Sequence, residues 1–417
     1  MARKAVITGV GLVSPLGSDL NGFWERLVRG RSAVKGLSGD LRGGLPCRAA
    51  APVDAFDFAE YAGAEWARRP RGRLPLFVQY ALGATAAALR HAGLGLRAND
   101  PKRWGVIIGN GAGGVPHIAR HVEVLHTQGW TRVDPQVLLQ LIPNAAVAHV
   151  ATALGARGHN STVVAACASG TQAIGEASRI VRTGLADVVV AGGTEAWLTE
   201  TGLVSFAVLG ALSRWDGDPA AASRPFDKLR SGFVPAEGAA MFVIEAEASA
   251  RRRGARPLVE VRGYGCTNDA YHLVAPDPEG TGAAECMELA LADAKVPPDA
   301  IDYVNAHGTG TQRGDASETA AIKRVFGRRA QEIPVSATKS IIGHSMGASG
   351  ALEVAACVQT LQTGVIHPTI NLEVPDPECD LDYVPGKARR KQVKTILKNS
   401  FGFGGHNVCL VLTTPQG

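Results

Sequence analysis

Short β-branched runs alternate with alanine-rich, helix-compatible stretches along this chain: Ala5 to Ile7, Leu76 to Ala92, Trp104 to Ile108, Ala145 to Ala153, Val188 to Ala191 and Ala239 to Ile244. That alternation restricts the fold to the α/β class, with sheets mostly buried between helices. Glycine makes up 50 of the 417 residues, which permits close helix packing and loops with positive φ. No low-complexity linker divides the chain. The softest boundary is the basic stretch Ala248 to Arg256, which splits the sequence into expected halves of residues 1–250 and 251–417. A small-residue helical run ends at Thr183-Gly184 in the first half and another at Thr363-Gly364 in the second, a pattern that suggests duplication.

Seven cysteines, an odd count without a CxxC pair, suggest neither a disulfide framework nor a zinc site. The opening residues Met1 to Gly9 hold a three-residue apolar run and read as no secretory leader, so a cytoplasmic protein with reduced thiols is expected. No uncharged apolar run approaches the ~18 residues of a membrane span. The net charge of +5 is small for this length. Basic residues cluster at Arg68-Arg69-Pro70-Arg71-Gly72-Arg73, at Arg251-Arg252-Arg253 and at Arg389-Arg390-Lys391, which suits an acidic protein or phosphates. Aromatic residues, 6% of the chain, do not interleave with these clusters as nucleic-acid stacking would require.

In Val163-Val164-Ala165-Ala166-Cys167-Ala168-Ser169-Gly170-Thr171-Gln172-Ala173 a β-branched run turns into a small-residue helix. Cys167 is thereby expected near a helix N-terminus, where outward N–H groups stabilise a thiolate and lower its pKa. A buried structural cysteine acting as a small hydrophobe fits the same segment. Three further motifs point to different chemistries. Gly109-Asn110-Gly111-Ala112-Gly113-Gly114 fits the dinucleotide fingerprint GxGxxG, but Asp134 lies before Pro135 and not at the end of a second strand, so a ribose contact lacks its context. Gly343-His344-Ser345-Met346-Gly347 fits the GxSxG nucleophile elbow, with Asp376 or Asp380 and His406 downstream; only about seventy residues follow, too few for the rest of a hydrolase sheet. Asn305-Ala306-His307-Gly308-Thr309-Gly310-Thr311 follows the apolar run Ile301 to Val304, and such a turn can present an imidazole and hydroxyls to one cavity. The triplet His117, His121 and His126 lacks the glutamate of HExxH and reads as a solvated helix face.

In chain order, the Cys167 segment, Asn305 to Thr311, Lys339-Ser340-Ile341-Ile342-Gly343-His344 and Asn399-Ser400-Phe401-Gly402-Phe403-Gly404-Gly405-His406-Asn407 resemble the elongating β-ketoacyl carrier-protein synthases of thiolase fold. Val6-Ile7-Thr8-Gly9 and Ser223-Arg224-Pro225-Phe226-Asp227 extend the likeness over nearly the whole chain. The resemblance implies a layered αβαβα fold with two duplicated halves. It implies decarboxylative Claisen condensation of a cysteine-bound acyl chain with malonyl-[acyl carrier protein], in fatty-acid or polyketide chain elongation.

By the same resemblance Cys167 is the nucleophile, and the backbone N–H groups of Cys167 and Phe403 form the oxyanion hole. His307 and His344 are hydrogen-bond donors to the enolate left by decarboxylation. Lys339 is a supporting charge with Glu353 as its expected ionic partner, since a buried lysine without one tends to lose its charge. Thr309 and Thr311 are expected to bind the phosphopantetheine arm, and Phe403 to gate the acyl pocket. No metal and no bound cofactor are implied beyond that arm of the acyl carrier protein. The carrier is expected to dock at Arg68, Arg69, Arg71 and Arg73. A homodimer is expected, with a heterodimer containing a chain-length factor left open. Ala112 stands where fatty-acid members of the second elongating class carry isoleucine, which implies a deeper or wider acyl pocket. Thr171-Gln172, Ser231, Gly310 and Pro235-Ala236 also depart from the housekeeping pattern and keep secondary metabolism open. The alternatives are a serine hydrolase using Ser345 and a noncatalytic partner subunit.

Overall fold

The computed structural model describes residues 3–37, 44–67 and 74–415. Ten strands form one mixed sheet: β1 Ala5–Val13, β2 Trp104–Gly109, β3 Asn160–Val163, β4 Val188–Glu195, β5 Gly238–Ala246, β6 Val259–Asn268, β7 Tyr303–Asn305, β8 Val335–Ser336, β9 Thr395–Gly402 and β10 His406–Thr413. From the centre outward the first half runs β1, β5, β4, β2, β3, and the second runs β6, β10, β9, β7, β8. Numbered within each half, both orders are first, fifth, fourth, second, third. Pair directions repeat as well, two antiparallel pairs followed by two parallel ones. The halves meet where β1 pairs β6 through Val6–Glu260 and Ile7–Val259. Every residue of β1, β4 and β5 is buried, which explains why these strands read as mostly small and apolar instead of alternating.

Six helices organise the layers: α1 Leu76–His91, α2 Val115–Gln128, α3 Ser169–Arg182, α4 Thr281–Ala294, α5 Gln312–Phe326 and α6 Ser349–Thr363. Helix α1 covers the outer face of the first half-sheet and α4 that of the second, each lying directly on a pair of strand glycines. A Cβ at Gly9 or Gly11 would sit 2.2 or 2.1 Å from a carbonyl oxygen of α1; at Gly263 or Gly265 it would sit 2.2 Å from one of α4. Helices α3 and α6 touch each other between the half-sheets, at Gly170 against Ala351 and at Gly350 against Thr171. The five layers are therefore α1, half-sheet, α3 with α6, half-sheet, α4, as the αβαβα expectation requires. Among the described residues no helix is long and apolar enough to cross a membrane.

Candidate active site

Strand β3 ends at Val163, and the chain enters α3 through a tight turn, Ala166–Ala168, in which Ala166 holds φ 47°. Such a conformation is costly for a residue with a Cβ and persists where its surroundings enforce it. Ser169 does so: its Oγ accepts from the Ala165 N–H at 2.9 Å and donates to the Ala166 carbonyl at 2.7 Å. Cys167 is 5% exposed. Burial pushes its thiol up to about 12, opposed by the Lys339 charge and by a hydrogen bond from the Phe403 N–H. The expected lowering by the helix terminus is thus overturned. Desolvation of the charged sulfur outweighs partial charges at the start of α3.

Two imidazoles close on this sulfur from the second half. His344 Nε2 lies 3.0 Å from Cys167 Sγ, and its Nδ1 lies 2.7 Å from Ser349 Oγ. His307 follows β7, and its ring centre is 5.7 Å from that of His344. The loop carrying it is held by two carboxylates of α5 that motif reading missed. Glu318 accepts from the N–H groups of His307 and Gly308, both at 2.8 Å, and Asp315 from those of Thr309 and Gly310, both at 3.1 Å. Burial raises both acids, Asp315 to about 6. Their spacing of three on one helix was the available signal.

Beneath the imidazoles lies a charged network. Lys339 Nζ contacts Glu353 Oε1, donates to the His307 carbonyl at 2.6 Å and lies 3.2 Å from His307 Nδ1. The expected Lys339–Glu353 pair is formed, with both side chains buried. An ammonium only donates, so His307 Nδ1 is the acceptor and its Nε2 carries the proton. Ser349, in contrast, can donate to or accept from His344 Nδ1, which leaves that imidazole either tautomer. Burial and the charges of Lys339 and Lys398 hold both imidazoles well below the usual histidine pKa, and thus neutral. Lys398, unmarked by any motif, reaches the other oxygen of Glu353 at 2.5 Å.

A cleft leads from the surface to this centre. Thr309, Thr311, Val274, Phe401 and Phe403 line it, and Cys167, His307 and His344 form its end. On the far side Cys167 joins an apolar cluster with Trp197, Leu203, Phe233 and Met346, against which Ala112 and Phe206 pack. The Phe206 and Phe403 rings stack with centres 6.1 Å apart, so Phe403 stands between cleft and cluster.

The rival motifs are absorbed by the fold. The glycine loop after β2 is filled by protein: Glu195 accepts from the Gly111 and Ala112 N–H groups, and a Cβ at Gly114 would sit 2.1 Å from the Gln140 carbonyl oxygen. Ser345 is buried with Ser349 as its side-chain neighbour at 3.3 Å, while Asp376 pairs with Arg230 and Asp380 with Lys323, so among the described residues no hydrolase triad assembles around it. Arg251, Arg253 and Arg389 pair with Glu247, Glu245 and Asp382, which uses two of the basic clusters for internal cohesion. Arg68, Arg69, Arg71 and Arg73 lie outside the described residues.

The family profile "Beta-ketoacyl synthase, N-terminal domain" matches residues 2–250, and "Beta-ketoacyl synthase, C-terminal domain" matches residues 258–373. The chain belongs to the β-ketoacyl synthase family. It is therefore a condensing enzyme of acyltransferase type, with the thiolase-like ketosynthase fold that its motifs implied. The 3-oxoacyl-[acyl-carrier-protein] synthase 2 of Synechocystis sp. is 41% identical over 414 residues, 99% of each chain. A ketosynthase structure solved with its type II polyketide acyl-carrier protein and bound to the hexaketide is 33% identical, covers 100% of both chains and superposes with a TM-score of 0.91. The ishigamide ketosynthase/chain length factor is also 33% identical over 100% of both chains, with a TM-score of 0.92. Family membership removes the hydrolase alternative.

Proposed function

We propose that this enzyme joins a Cys167-bound acyl chain to a malonyl unit on an acyl carrier protein, releasing carbon dioxide and leaving a β-ketoacyl-[acyl carrier protein]. The observation that carries the reading is the 3.0 Å approach of His344 Nε2 to Cys167 Sγ at the end of a cleft that His307 also faces. In the first step the thiol attacks the carrier thioester. A sulfur whose pKa lies near 12 needs a base as it reacts, and the adaptable His344 can accept the proton and pass it to the departing carrier thiol.

In the second step the malonyl C–C bond to the carboxylate breaks, and its electron pair becomes an enolate. His307 Nε2–H, fixed as a donor by Lys339, and His344 Nε2–H face the enolate oxygen. The enolate carbon attacks the Cys167 thioester, and the N–H groups of Cys167 and Phe403 receive the tetrahedral oxyanion. Collapse expels the Cys167 thiolate, which takes up a proton.

Residues 1–250 supply the thiol and residues 251–417 the imidazoles and the Phe403 loop. Thr309 and Thr311, lining the cleft, bind the phosphopantetheine arm, and the carrier docks at Arg68, Arg69, Arg71 and Arg73. The protein works in the cytoplasm as a homodimer or beside a chain-length factor. In support, β3 is an edge strand, and α2 exposes Val115, Ile118, Val122 and Leu125. Mass photometry of the protein alone separates the two assemblies.

Intact-protein mass spectrometry with acyl carrier proteins bearing short, medium, long and polyunsaturated chains tests the reaction. An acyl adduct on the parent and none on Cys167→Ala is expected; an adduct of equal yield on both refutes the nucleophile. Ala112→Ile is expected to shift acyl preference toward shorter chains, and an unchanged preference argues against Ala112 as pocket floor.

A further inference from the structure

The site floor holds two buried lysines and one buried carboxylate. Along β9 the side chains alternate: Lys398 and Ser400 face α6 and α3, while Asn399 faces Glu318 and Cys409. Lys398 is completely buried, and its three donors are all used, on Glu353 Oε2 at 2.5 Å, on Ser400 Oγ at 2.6 Å and on the Asn399 carbonyl. Lys339 likewise spends three donors, so both side chains are satisfied as ammonium groups. One carboxylate against two ammonium groups leaves one positive charge in a dry region. Ser400 Oγ then lies 2.8 Å from Thr171 Oγ1 on α3, so the network reaches the helix that follows Cys167.

We propose that Lys398 is a positioning residue for the condensation: it holds one oxygen of Glu353 so that the other binds Lys339, and it supplies the unbalanced positive charge beneath Cys167, His307 and His344. This rests on the reading of Cys167 as the reacting thiol. Buried charge of this sign favours sulfur as thiolate and imidazole as neutral base. Lys339 and Lys398 both act on the two imidazoles in that direction. Other carboxylates face the same region, and at Cys167 the charges of Glu195 and Glu353 oppose that of Lys339. Glu195 is held by the N–H groups of Gly111, Ala112 and Gly347; Glu318 by those of His307 and Gly308 and by Asn399; Asp315 by three N–H groups with Arg230 nearby. Cys357 and Cys409 are buried thiols pushed up by desolvation, and the buried His367 is held down by it.

The test is the pH profile of iodoacetamide alkylation at Cys167, read by intact mass with Cys167→Ala marking the adducts of other thiols. Lys398→Met, which removes the surplus charge, is expected to move the midpoint up by about one pH unit. Lys398→Arg should leave it in place. The double variant Lys398→Met/Glu353→Gln keeps one positive charge and should return to the parental midpoint. A Lys398→Met profile that superimposes on the parent, or a double variant that stays shifted with it, overturns the proposal. If Lys398→Met does not fold, Glu353→Gln alone is compared with the double variant, and the same upward step is required. NMR titration of His307 and His344 reads the charge without relying on the thiol; both imidazole pKa values should rise in Lys398→Met. A parental adduct pattern unaltered by Cys167→Ala would refute the nucleophile, while unchanged imidazole titrations would refute Lys398.

Discussion

The turn at Cys167-Ala168-Ser169-Gly170 and its counterpart at Gly347-Ala348-Ser349-Gly350 are built alike and do different work. Each begins with a non-glycine residue at positive φ, Ala166 at 47° and Met346 at 49°. In each the serine Oγ accepts a backbone N–H four residues back at 2.9 Å, Ala165 in one and Ser345 in the other. Each opens a helix of the central layer. Yet the first turn places a thiol where the second has no side chain, and only the second lends its serine to an imidazole. Duplication supplied two equivalent frames, and chemistry was divided between them: one donates the reacting atom, the other orients the group that moves its proton.

That division can be broken from either side. Cys167→Ala should lower acyl transfer at least about a thousand-fold while the protein stays folded, because it removes the sulfur that forms the covalent intermediate; retained turnover would mean the first turn is not the reacting one. Gly347→Ala should lower unfolding free energy by about 3 kcal/mol, since its Cβ would sit 2.5 Å from the Gly111 nitrogen. Chemical denaturation would measure it, and Cys167→Gly should cost far less.

Glu195 ties the glycine loop after β2 to the second turn, accepting from the N–H groups of Gly111 and Gly347. Burial raises its carboxyl from 4.5 to about 7 in the folded protein. Its contribution is therefore full below the unfolded pKa and lost as pH rises through about 7, a change of about 3 kcal/mol that Glu195→Gln should abolish. Denaturation midpoints taken across that range would show it. The smallest effects should discriminate most sharply. Ser169→Ala and Ser349→Ala should each destabilise by about 1 kcal/mol, but only Ser349→Ala should also lower the condensation rate, by about tenfold, in single-turnover assays. Equal rates in the two variants would remove the proposed role of Ser349 toward His344.

Residues carried by contiguous motifs were legible before the structure: Cys167, His307, His344, Lys339 and Phe403 fall together as the resemblance implied, and Glu353 meets Lys339. The layered duplicated fold was legible too, through the alternation of buried strands and small-residue helices. Groups that act from another element were not. Glu318 and Asp315 lie on α5, Ser349 on α6 and Glu195 at the end of β4, and each acts on backbone or ring atoms whose proximity only the tertiary fold creates. Lys398 left one unread trace, a lysine directly after the apolar pair Ile396-Leu397 of β9, which a buried strand tolerates only with a partner. The direction of the Cys167 shift was misjudged because exposure cannot be read from a helix start.

The thiol and the imidazole that meets it are 177 positions apart. At ribosomal speeds of about 5–20 residues per second, roughly 10 to 35 s pass between their syntheses. During that interval a growing chain carries its sulfur without the imidazole that meets it in the folded protein. Thiol and imidazole meet only after the second half has been made and has folded against the first.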